Sequence, residues 1–235
     1  MMPSASRNNN NHIGTLNEKP LHRALKEWYG EPTDRFEVEV DGYIIDIKRG
    51  ELLIEIQSRN VYQIKRKISE LTKQYQLRLL LPIPKEKWII RLDESGSNQI
   101  SRRKSPKRCS FLDFFSELVS IPRLINNKNF SIEVVLIQEE EIRQHEDGRA
   151  WRRRGWVTQE RRLLNVVDHR TFATKEDLAA LLPNHVPEPF TTADLVENLS
   201  ITRRLAQQMT YCLRLAEVTD LVGMRGRFKL YTRKI

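Results

Sequence analysis

Apolar residues recur along this chain with two distinct periods, and the switches between them mark out its elements. Leu21, Leu25 and Trp28 are spaced as on one face of a helix over residues 18–29, which Gly30 ends. Phe36, Val38 and Val40 alternate with Glu37 and Glu39, the pattern of a strand with one wet face, and Asp41-Gly42 is a strong hairpin signal. Residues 43–48 and 51–57 are two strands dense in Ile and Leu, with Arg49-Gly50 as the turn between them. Val61, Ile64, Ile68, Leu71 and Tyr75 form the stripe of a helix that Ser58 or Asn60 can cap. Residues 77–82 and 87–93 read as two strands, 111–125 as a very apolar helix and 131–137 as another strand. Further on, Leu163, Leu164 and Val167 suggest a helix. Residues 174–183, 192–199 and 203–216 give three more, and strands at 217–222 and 228–231 flank a turn at 223–226.

The two strands on either side of Arg49-Gly50 carry the most suggestive chemistry. With a two-residue loop, Lys48 faces Glu51 and Asp46 faces Leu53. Period-two alternation then places Asp46, Glu55 and Gln57 on one face, the two carboxylates being diagonal neighbours roughly 7–8 Å apart at Cα. Ile45, Ile47, Ile54 and Ile56 fill the opposite face. Carboxylates brought together and half buried repel unless a cation joins them, and a hard divalent ion with oxygen ligands meets that need. A solvated face on which Asp46 and Glu55 pair with Lys48 or another basic residue meets it as well.

Asp46, followed by Glu55-Ile56-Gln57 at the end of an apolar strand and then by a basic amphipathic helix, resembles the PD-(D/E)XK nuclease superfamily, in particular its variants with Gln in the usual Lys position. The order helix, three-stranded meander, helix, strand over residues 18–81 is that of the superfamily core. The resemblance implies an α/β fold, a restriction-endonuclease-like mixed sheet flanked by helices. It implies that Asp46, Glu55 and the backbone carbonyl of Ile56 hold Mg²⁺ or Mn²⁺, and that Gln57 orients the attacking water. Glu18 or Glu27 is the expected further acid lent by the first helix, Glu18 being preferred because it shares a helical face with His22 and Lys26, a row equally readable as a solvated face. A neutral amide at position 57 can orient a water or a phosphate oxygen but cannot supply a cation or act as a base. A non-catalytic, DNA-binding or regulatory protein on a degenerate nuclease core is therefore the rival reading.

The last 45 or so residues resemble a winged helix-turn-helix. That resemblance implies that Thr202, Arg203, Arg204, Gln207 and Gln208 face a DNA groove, joined by Tyr211, and that Arg225 and Arg227 are wing contacts. Arg and Gln are donors suited to base edges. A winged helix used for protein contact is the alternative.

The formal charge of +9 favours a polyanionic partner, here DNA, double-stranded or branched. Lys65 and Lys67 on the helix after Gln57, and Arg102, Arg103, Lys104 and Lys107 in a polar loop between Asp93 and Cys109, are the candidate phosphate contacts on the N-terminal half; each set is equally readable as a solvated surface. No apolar run approaches the ~20 residues of a membrane span, the N-terminus lacks a signal-peptide core, and the two cysteines are expected as free thiols in a reducing cytoplasm. The expected organisation is a disordered tail at 1–17, a nuclease-like domain at 18–140, a charged linker at 141–156 holding Trp151 and Trp156, and a helical, winged DNA-binding domain at 157–235. Cutting both strands with one site per chain would favour a homodimer.

Overall fold

The computed structural model describes residues 19–234. The proposed tail at 1–17 and Glu18 lie outside the described residues. Strands β1 (Arg35–Val40), β2 (Tyr43–Arg49), β3 (Leu52–Ile56), β4 (Gln76–Leu92), β5 (Gln99–Lys104), β6 (Phe130–His145) and β7 (Trp156–Phe172) form one seven-stranded mixed sheet. Its order is β1-β2-β3-β4-β6-β7, with β5 against the outer part of β4. β1, β2 and β3 are an antiparallel meander; β3, β4 and β6 run parallel; β7 returns antiparallel to β6. Helix α1 (Pro20–Tyr29) covers one face. On the other lie α2 (Lys65–Leu71), the short α3 (Phe115–Leu118), α4 (Lys175–Ala179), α5 (Thr192–Leu199) and α6 (Arg203–Leu215), and a separate hairpin of β8 (Thr219–Arg225) and β9 (Phe228–Arg233) follows. The expected mixed α/β sheet with flanking helices is thus present.

The turns explain the strand register. Asp41 and Gly42 both take positive φ, 49° and 78°, as a two-residue hairpin turn of matching twist requires. In the next turn Gly50 has φ 54° and pairs off with Glu51, so that Arg49 stays in β2 opposite Leu52. The expected Arg49-Gly50 turn is therefore displaced by one residue. Arg49 is not free to turn: its guanidinium donates to Asp34 at 2.8 Å and to the Tyr29 carbonyl at 2.7 Å, tying α1 to the sheet. The β2–β3 ladder ends at the pair Ile47–Ile54, and Asp46 and Glu55 are the next residues on the two strands.

Alternation fails at that level. Ile47, Ile54 and Ile56 join the core under α1 with Leu21 and Leu25, whereas Ile45 joins the opposite core with Leu53 and Ile68. The four isoleucines do not share a face, as regular alternation had predicted. Neighbouring Glu37 on β1 sits at φ 54°, a conformation uncommon for a residue with a β-carbon. The pleat is broken around Glu37 and Asp46, and Ile56 N–H donates at 2.7 Å to the Asp46 side chain.

Elsewhere the outcome departs from periodicity for local reasons. Residues 77–93 make the single strand β4 and not two; Pro82 and Pro84 fall between its pairing with β3, which ends at Leu80, and with β5, which begins at Trp88, where that edge has no neighbour and a missing N–H is tolerated. The helix expected at 111–125 breaks into a 3-10 turn, Phe111–Phe114, the four residues of α3 and a second 3-10 turn, Leu124–Asn126. Pro122 has no N–H and keeps the preceding residue out of helical geometry. The expected linker at 141–156 is largely the end of β6 and the turn into β7. Leu163, Leu164 and Val167 lie in β7, not in a helix.

The expected separate domain at 157–235 is also revised. β7 is an integral strand of the main sheet, and a single apolar core runs from Ile45 through Phe115, Leu118 and Phe172 to Met209, Cys212 and Tyr231. Phe114 and Phe172 stack with centroids 4.8 Å apart at its centre. The buried stripe of α6 therefore rests on α3.

Candidate active site

Asp46 and Glu55 form the floor of a cleft of about 690 Å³ between the N-terminal end of α1, the loop after β3 and the first part of β7. Glu55 is only 6 % exposed, yet it is held by one partner: Lys67 Nζ, reaching up from α2, lies 2.6 Å from Oε2 and also donates to the Ile44 carbonyl. Asp46 Oδ2 accepts from Ile56 N–H and lies 3.2 Å from His22 Nε2 on α1. One turn along α1, Lys26 pairs with Glu37. Asp46 Oδ1 and Glu55 Oε1 stand outside these hydrogen bonds.

The two carboxylates are electrostatically unequal. Burial and the adjacent Asp46 charge push Glu55 up to about 7, against the pull of Lys67. For Asp46, burial is outweighed by the hydrogen bond and charge of His22 and by Ile56 N–H, and the group is lowered. A buried ion pair at 2.6 Å would ordinarily keep a carboxylate ionised; here burial, with the second carboxylate adding to it, outweighs the pull of Lys67.

Gln57 lines the cleft, but its amide Nε2 is turned onto the loop, donating to the Asn60 carbonyl at 3.2 Å and to that of Arg59. It holds the loop over the site and touches neither carboxylate. Lys67, expected on the DNA-facing surface, is instead 15 % exposed and committed to Glu55. Lys65, the first residue of α2, is exposed and lines a different groove.

Residues of β7 close the cleft, and nothing local in the sequence pointed to them. Arg161 pairs with the fully buried Glu139 of β6 and extends Nη1 to the Ser58 carbonyl at 3.3 Å. Arg59, from the loop, also lines the cleft and is lowered by burial and by the neighbouring Arg161 charge. His22 and Lys26 had been noticed as a row on α1, but their carboxylate partners lie on strands that only the fold brings near.

Among the described residues no group of three or more His, Cys, Asp or Glu side chains converges as a metal-binding cluster. The two carboxylates line the floor of the cleft beside the Ile56 backbone. That is the donor set of a hard divalent ion which retains several waters, as Mg²⁺ does, and not of a closed protein cage.

The remaining predicted contacts divide into paired and unpaired groups. Arg102, Arg103 and Lys104 lie in β5 and not in a flexible loop; Arg102 pairs with Glu140 and Lys104 with Glu86, and both cover the Trp88 ring at 5.3 and 4.9 Å. Lys107 is 4.0 Å from Asp113. On α6, Arg203, Arg204 and Gln207 are exposed, Gln208 is half buried, and Thr202 caps the helix by accepting from Leu205 N–H at 3.2 Å. Arg225 donates to the Pro189 carbonyl at 3.1 Å, and Arg227 is exposed beside Phe228. The two cysteines are buried, their thiols pushed up to about 11 and 12 by desolvation, and serve as packing groups.

Residues 19–173, from α1 to the end of β7, match the family described as Domain of unknown function (DUF8091). The chain belongs to the DUF8091 family. The whole cleft lies inside the DUF8091 segment; α4 to β9 follow it. An uncharacterized protein of Treponema pallidum (strain Nichols) is 29 % identical over 227 residues, covering 94 % of this chain and 88 % of that protein, so the likeness extends beyond the DUF8091 segment into the C-terminal helices. No solved structure matches the chain. No helix among the described residues is long and apolar enough to cross a membrane.

Proposed function

We propose that this protein is a Mg²⁺- or Mn²⁺-dependent DNA endonuclease, with a restriction-endonuclease-like core and a winged helix formed by α5, α6 and the β8–β9 hairpin. The observation that carries the reading is that Asp46 and Glu55 lie together at the floor of one cleft, close enough for the Asp46 charge to act on Glu55, with a lysine ammonium delivered to Glu55 from α2. Asp46, Glu55 and the Ile56 carbonyl would hold the ion, which when bound acidifies a water and stabilises charge on a phosphoryl group. His22 fixes the orientation of Asp46. Lys67 supplies the positive charge that a glutamine at position 57 cannot, and Gln57 keeps the 58–60 loop in place. The exposed face of α6 and Arg227 would hold duplex DNA.

Nicking of supercoiled and branched DNA with Mg²⁺ or Mn²⁺ tests this, comparing the native chain with Asp46→Ala and Glu55→Ala. Cleavage lost in both variants, with duplex binding kept, is the expected result. Cleavage that persists in both discards the site.

One observation favours the rival, a non-catalytic DNA-binding protein: the Lys67–Glu55 pair neutralises the floor of the cleft without any ion. Duplex binding with no cleavage under either metal would select it. Deleting the segment after Pro189 is no clean test of DNA binding, because α6 fills the core against α3 and its loss would expose Phe115 and Leu118. Point substitutions on the outer face of α6 are the appropriate probe.

A further inference from the structure

A second groove, of about 480 Å³, runs between α2 and the C-terminal half of α6, floored by the 119–124 turn. Three cations line it, Lys65 from α2, Arg123 from the turn and Arg214 from α6, together with the Tyr211 ring, which is 45 % exposed. No carboxylate lines the groove. None of the three cations has a carboxylate partner among the described residues, whereas the cations of β5 and of the cleft mostly do. Like charges held in a concavity without counter-charge repel one another, and such an arrangement is relieved by an anion bound between them.

The groove is continuous with the outer face of α6. Arg204, Gln207, Tyr211 and Arg214 follow one another at three- and four-residue steps, a single stripe about 15 Å long from first to last. In helix-turn-helix docking the N-terminal residues of the second helix reach the bases, so its C-terminal end leaves the major groove over the phosphates.

We infer that the α2–α6 groove is a binding channel for one phosphodiester strand of a DNA duplex, holding the backbone that flanks the segment read by α6. The channel joins the C-terminal helices to the DUF8091 segment through Lys65 and Arg123, and fixes the duplex on both units at once. The inference rests on DNA as the partner but not on its cleavage.

The test is fluorescence anisotropy of a labelled 30-base-pair duplex in EDTA, read across a range of NaCl concentrations. It compares the native chain, the combined variant Lys65→Ala, Arg123→Ala, Arg214→Ala, and a charge-matched control, Arg35→Ala, Lys73→Ala, Lys128→Ala, on exposed cations outside the groove. The groove variant is expected to bind about tenfold more weakly at moderate salt and to lose about three units from the slope of log affinity against log salt, one per phosphate contact. The control should keep the native slope. Equal losses in both variants would reduce the effect to net charge, and native binding by the groove variant would remove the channel; each overturns the inference while leaving the cleft untouched. If the native chain binds no duplex, the inference and the DNA half of the proposed function fall together, whereas nicking in Mg²⁺ still reports on Asp46 and Glu55 independently.

Discussion

The cleft and the outer face of α6 both concentrate charge, and they do so in opposite ways. At the floor of the cleft the charges are buried and paired, Glu55 with Lys67 and Asp46 with His22, and beside them Lys26 is paired with Glu37. On α6 and along the adjoining groove the cations stand in water without acids. Buried charges must be paired or the fold pays in desolvation, whereas exposed cations cost little and can wait for a ligand. The first region is thus coupled to stability and the second is not, and substitutions should separate them.

The largest difference is expected between Lys67→Met and Arg204→Ala. Removing the ammonium leaves Glu55 buried beside Asp46 without a partner, a change worth on the order of 3 kcal/mol of folding stability at pH 8. Arg204→Ala removes an exposed side chain from a helix surface and should stay within about 0.5 kcal/mol, while weakening duplex binding. Chemical denaturation at pH 8 and anisotropy on the same two proteins give both numbers. Equal stabilities would mean that Glu55 is more hydrated than its 6 % exposure implies.

The second expectation concerns pH. The carboxyl of Glu55 sits at about 7 in the folded chain, above its unfolded value near 4.5, so protons bind the folded state more tightly. The associated stability is complete below about pH 4.5 and is lost as the pH rises through 7, amounting to about 3 kcal/mol in the absence of metal. Melting temperature in EDTA should therefore fall between pH 5 and 8. Added Mg²⁺ competes with the proton and should raise the melting temperature more at pH 8 than at pH 6. A Mg²⁺ effect independent of pH would place the ion elsewhere than at Glu55.

The strand-helix order of the first half was legible because each turn carried its own signal, Asp41-Gly42 above all. The carboxylate pair was legible too, since a turn displaced by a single residue on each arm shifts the register by two and leaves side-chain parity intact. What periodicity could not show was the broken pleat at Glu37 and Asp46, which sends Ile45 and Ile47 to opposite cores, because the cause is tertiary: helices on both faces compete for the same strand level. Arg161 and Glu139 were invisible for a related reason. Glu139 stands just before the stretch read as a charged linker and Arg161 just after it; only the pairing of β6 with β7 brings the two together, with Lys87 and Arg161 both drawn to Glu139. The role of Lys67 was misread since a basic helix face says nothing about which of its lysines can reach inward past the Ile44 carbonyl.

The smallest expected effect is at Thr202, where the two regions can be told apart within one side chain. Its hydroxyl accepts from Leu205 N–H and closes the first turn of α6, so Thr202→Ala should cost about 1 kcal/mol of stability and Thr202→Ser should restore it. Because Thr202 is exposed at the edge of the proposed DNA face, loss of a duplex contact would appear in addition, as weaker binding of folded protein. Asp at this position separates the two: it caps a helix as well as Thr but presents a negative charge to phosphate. Thr202→Asp that keeps native stability while losing duplex affinity would put the N-terminus of α6 against the DNA backbone. Native affinity in that variant would leave Thr202 as a cap alone, and would move the point where the helix meets DNA further along, toward Gln207 and Tyr211.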